Sequence, residues 1–84
     1  MNKALPDFRS FVQKLEQQFN EPITEGMEPA TIFRNLKEWT SLQALIVISS
    51  FDWDYGVTFS SEDLKKAKTI GDLFELVTQK MGGQ

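Results

Sequence analysis

The chain has 84 residues, 40% hydrophobic and 12% aromatic, with a formal net charge of −3 and neither cysteine nor histidine. That length makes one small domain, residues 1–84, whose core must be closely packed. The missing cysteine excludes disulfides, zinc–thiolate sites and thiol nucleophiles, the missing histidine removes the commonest general base, and the acidic balance argues against a nucleic-acid partner.

Phe8, Phe11, Val12, Leu15 and Phe19 recur at spacings of three and four, which predicts a first helix over about residues 5–19 with Pro6 in its first turn. From Asn20 to Thr40 runs a long connection broken by Pro22, Gly26 and Pro29. Ile23, Met27, Ile32, Phe33 and Leu36 are expected to pin it to the core, and Thr31 to Leu36 has room for one helical turn.

A second helix is predicted over about 41–55. Thr40 with Gln43 has the capping-box pattern, in which the hydroxyl accepts from the third helical N–H and the amide reaches back. Gly56 suits the left-handed position past the end. The apolar run Ala44-Leu45-Ile46-Val47-Ile48 would also suit a buried strand, but length and the two end signals favour a helix. After an extended link at Val57-Thr58-Phe59, Ser60 with Asp63 starts a short third helix over about 61–66. Thr69 with Asp72 starts a fourth over about 70–80, with Ile70, Leu73, Phe74 and Val77 on one face and Gly82-Gly83 closing it.

Other charged groups read as solvated surface. Lys65, Lys66 and Lys68 form the one basic cluster, and Glu62-Asp63 are first-turn acids favoured by the helix dipole, with no metal-ligand spacing. No apolar run has the length of a membrane span or the form of a signal peptide, so the cytoplasm is the expected compartment. Ser41, at the mouth of the second helix, is the one nucleophilic side chain that combines a helix start signal with a long apolar helix. Without histidine to activate it, triad chemistry there is not expected.

Four blocks carry a resemblance: Phe33-Arg34-Asn35-Leu36, Glu38 through Leu45, Asp54 through Phe59, and Ala67 through Leu73. In these the chain resembles the acyl carrier protein family, four-helix bundles that hold acyl groups on a 4′-phosphopantetheine arm. The resemblance implies an all-α fold: a small four-helix bundle with a long loop between helices 1 and 2 and a short helix 3. It also implies a carrier and not an enzyme. The arm would be attached at Ser41, flanked by Thr40 and Leu42. A phosphopantetheinyl transferase would install it, and acyl-loading, ketosynthase or acyltransferase enzymes would use it, in fatty-acid-like, polyketide-like or related biosynthesis. A free monomer is expected over an excised module. A peptidyl or aminoacyl carrier is a variant of this reading, and a carrier-like interaction module that never receives the arm is the alternative.

Two features depart from the family pattern. Its attachment motif is usually Asp-Ser-Leu, whereas this chain has Thr40, which keeps the capping oxygen and loses the charge. Members serving fatty acid synthesis show several acids on helix 2, whereas this helix has only Asp52 and Asp54, at its far end. The implied register turns Ala44, Val47, Ile48, Phe51 and Tyr55 inward and sets Leu42, Ile46, Ser49 and Trp53 along a second stripe. Gln43, Ile46 and Trp53 are then the expected partner surface, held by hydrophobic contact; a broad core face is the rival reading. Trp39 is expected to pack under the loop and fix the serine's presentation. Phe59 and Leu64 are candidates to line an acyl-accepting gap between helices 2 and 3.

Overall fold

The computed structural model describes residues 5–21 and 26–82. Among these the fold is all-helical: α1 (Phe8–Glu16), a 3-10 turn (Phe33–Asn35), α2 (Ser41–Tyr55), α3 (Ser61–Lys66) and α4 (Ile70–Gly82). The expectations for Ile23 and Gly83 fall outside the described residues.

The first helix is shorter than its apolar spacing predicts. Asp7 caps it, its Oδ1 accepting from Ser10 N at 2.8 Å, so Pro6 lies ahead of the cap and not in the first turn. Past Glu16 the backbone tightens into three-residue turns, Gln18 N to Leu15 O at 3.0 Å and Phe19 N to Glu16 O at 3.1 Å. Phe19 is still delivered to the core because such turns rotate the chain nearly as a helix does.

The other helix starts follow their local chemistry. Thr40 Oγ1 accepts from Gln43 N at 3.0 Å, and Gly56, at φ 70°, ends α2 while donating to Asp52 O at 2.9 Å. In α3, Ser60 and Asp63 form the full reciprocal box. At α4, Thr69 Oγ1 accepts from Asp72 N, and Asp72 Oδ2 accepts from both Thr69 N and Lys68 N. These charge-assisted bonds hold the Asp63 and Asp72 carboxyls below the ordinary carboxylate range, with Lys80 adding to the effect at Asp63.

Aromatic rings make much of the core. Phe11 of α1 stacks on Phe51 and Tyr55 of α2 at centroid distances of 5.6 and 6.0 Å, and Phe74 of α4 meets Phe11 edge-on at 5.4 Å. Each such ring removes large apolar area from water, which suits a domain with few residues to spare. The long connection is sewn to the start of α4 by backbone bonds: Phe33 N to Lys68 O, Ile70 N to Thr31 O, and Gly71 N to Pro29 O. Phe33 and Met27 are buried beneath it, whereas Ile32, expected as a pin, is 47% exposed because its backbone pairs with Thr69 at the surface.

Candidate functional site

Ser41 is the first residue of α2 and its side chain is exposed. Its approach is rigid on both sides. Upstream, the indole of Trp39 packs edge-to-face on the buried Phe33 ring at 4.8 Å, as expected of a residue under the loop. The Glu38 carboxylate accepts from Asn20 N at 2.9 Å and Glu21 N at 2.8 Å. Downstream, Thr40 is fully engaged as the helix cap, and Leu42 is 68% exposed.

Gln43 is a correction. It was expected both to complete a capping box and to face a partner. It is instead buried, 6% exposed, with Nε2 donating to Gln18 O at 2.8 Å. The amide goes to the open carbonyl past α1 in a part-buried bond, where leaving either partner unpaired carries a cost. Gln43 therefore lies on the inward side of α2 with Val47, Phe51 and Tyr55.

Beside Ser41 opens a largely apolar cleft of about 520 Å³. Ser41, Ala44, Leu45 and Ile48 line it from α2, with Phe59 and Leu64 opposite and Arg34 and Lys65 as its two cations. Phe59 and Leu64 thus stand where a gap between α2 and α3 was expected. Arg34 holds that wall: its guanidinium donates to Ala67 O and Leu64 O, both at 2.8 Å, and lies over the Phe33 ring.

Of the remaining expected surface residues, Ile46 is 39% and Trp53 88% exposed, so neither belongs to a broad core face. Leu45, 61% exposed, was overlooked; its spacing of three from Leu42 is the signal that places both on one side of a helix. Arg34, Glu38 and the true role of Gln43 had no local signal, since each acts on residues 17 to 33 positions away.

No family model matches this sequence, and no curated protein matches it. Among solved structures it is similar to the solution NMR structure of a holo acyl carrier protein from Geobacter metallireducens, with a TM-score of 0.80 and 26% sequence identity over 93% of this chain and 88% of that one. Helix order and this likeness define a four-helix carrier-type fold, that of a carrier and not of an enzyme. The fold is thus similar to that of an acyl carrier protein over nearly the whole chain. Among the described residues, no helix is long and apolar enough to cross a membrane.

Proposed function

We propose that the chain carries acyl groups on a 4′-phosphopantetheine arm attached at Ser41 Oγ, as a monomer serving fatty-acid-like, polyketide-like or related biosynthesis. The observation that carries this reading is the exposed Ser41 hydroxyl at the N-terminus of a fifteen-residue helix, opening onto an apolar cleft.

The residues present fit the group. The backbone N–H groups of the first turn and the positive end of the α2 dipole favour a phosphodiester anion at that oxygen, and no carboxylate in the first turn opposes it. The cleft offers an apolar wall of Ala44, Leu45, Ile48, Phe59 and Leu64 against which an acyl chain can be shielded from water. When bound, the arm supplies the thiol that holds the acyl group, a function this chain has no cysteine to perform. Ser41 needs no activating base of its own, because the modifying transferase supplies it. What the protein adds is effective concentration: a tethered acyl group meets successive enzymes without release.

The test is mass spectrometry after incubation with coenzyme A and a broad-tolerance phosphopantetheinyl transferase. A gain matching one phosphopantetheine group, absent in Ser41→Ala, is the expected result. No gain with several transferases would instead support a carrier-like module that never receives the arm, the reading that Thr40 in place of the usual Asp keeps open.

A further inference from the structure

We propose that Arg34 and Lys65 form an anion site in the cleft beside Ser41, and that they hold the phosphodiester of an arm attached there. The carrier reading supplies the identity of the anion. The site itself stands on the cleft's own side chains.

The cleft brings together three separate segments: Ser41 from α2, Arg34 from the 3-10 turn, and Ser61 and Lys65 from α3. Its walls hold two cations and no carboxylate, although the chain has twelve acids against nine bases. Positive charge in one cleft of an acidic chain is a matter of placement, not of composition. Thr40 and Leu42, which flank the serine, are uncharged. The acids of α3 are engaged or lie elsewhere. Asp63 accepts from Ser60 N at 2.9 Å and pairs with Lys80 at 3.1 Å, and Glu62 is exposed outside the cleft's walls.

The two cations differ in kind. Arg34 is fixed, because its guanidinium already donates to Ala67 O and Leu64 O and lies over the Phe33 ring. The guanidinium has five N–H donors, so others remain for an anion, and its charge needs no further ordering. Lys65 is exposed and makes no ion pair among the described residues. Its ammonium, on a flexible four-carbon stem, is free to turn toward an anion. A negative charge on Ser41 would therefore tie the start of α2 to α3 across the cleft. Another negative charge should weaken a chain that is already net negative; this site predicts the reverse.

The experiment places one negative charge at residue 41 in two ways. The chain has no cysteine, so Ser41→Cys gives a single thiol. That thiolate displaces bromide from bromoethanesulfonate to leave a monoanion, or from bromoethanol to leave a neutral group. At low salt the sulfonate adduct should have a thermal midpoint about 2–6 °C above the neutral one, as surface charge pairs in a small domain would give. Lys65→Met keeps the stem and removes the charge, and should at least halve that gain. Lys66→Met, on the same helix but outside the cleft, should leave it intact. The α2 dipole also favours an anion at this position, but its share survives Lys65→Met. Arg34→Gln loosens α3 in both adducts, so only the difference between them is read, and that difference should fall too. Salt at about 1 M, where the Debye length is near 3 Å, should shrink the gain. In the phosphopantetheinylated chain the phosphorus NMR resonance should move with Lys65→Met and stay with Lys66→Met. No gain from the sulfonate, a gain that survives either substitution in the cleft, or a phosphorus resonance indifferent to Lys65→Met would overturn the proposal. No mass gain with any transferase would sink the carrier reading alone, because the sulfonate comparison reads the site without the arm.

Discussion

Gln43 Nε2 donates to the main-chain carbonyl of Gln18 at 2.8 Å, tying the first turn of α2 to the chain just past α1. Glu38, on the other side of Ser41, accepts from Asn20 N and Glu21 N. One short turn is therefore gripped from both flanks of the serine, and the direction in which the hydroxyl is presented depends on that grip. Gln43→Leu keeps most of the volume and removes the donor, leaving a part-buried carbonyl without it. A loss of about 0.5–1.5 kcal/mol is expected, seen as a lower thermal midpoint of roughly 4–8 °C per kcal/mol. A midpoint unchanged in differential scanning calorimetry would show that the bond contributes nothing.

Thr40 separates capping from charge. Thr40→Ala removes the acceptor for Gln43 N and should cost about 1 kcal/mol in urea unfolding. Thr40→Asp restores an acceptor together with a carboxylate and should leave stability within about 0.5 kcal/mol. Under the carrier reading, Thr40→Asp should also raise the initial rate of mass gain with a broad-tolerance transferase. An equal rate in both chains would mean that the carboxylate is not what such an enzyme reads.

Tyr55 is the chain's one tyrosine, and its hydroxyl is buried with no hydrogen-bond partner among the described residues. Burial, with the nearby Asp54 charge adding to it, pushes the phenol up to about 12. The folded protein thus keeps a proton that the unfolded chain releases near pH 10. The stability this contributes is complete below about pH 10 and is lost as pH rises through about 12. Phenolate absorbance should titrate late in the folded protein. Tyr55→Phe should remove this part of the alkaline loss and be neutral or mildly stabilising at pH 7.

Gly71 has no room for a side chain. A Cβ there would sit 2.9 Å from Pro29 O, the same carbonyl that accepts from Gly71 N at 3.0 Å. Both groups are backbone, so the long connection must shift off the start of α4, and Gly71→Ala should destabilise by about 1–3 kcal/mol. Gly82→Ala, where the added carbon meets nothing within 4 Å, is the control and should not destabilise. Equal urea midpoints for the two variants would refute the close approach.

The starts of α2, α3 and α4 were readable along the chain because capping pairs a side chain with a backbone N–H three residues on: Thr40 with Gln43, Ser60 with Asp63, Thr69 with Asp72. The end of α2 was readable for the same reason, since Gly56 tolerates a left-handed φ that other residues resist. The end of α1 was misread because Phe19 continues the apolar rhythm through turns that have left the helical hydrogen-bond pattern.

Which side of α2 is covered could not be read this way. Val47 and Phe51 are as apolar as Leu45 and Ile46, and they are buried because the rings of α1 and the apolar side of α4 arrive there and not opposite. The destination of Gln43 and the hold of Arg34 on Leu64 and Ala67 likewise exist only once distant segments meet. Helix boundaries follow from sterics and hydrogen bonds acting within about one turn. The exposed stripe, the cleft and the serine's rigid mount follow from long-range packing, which short-range pattern does not encode.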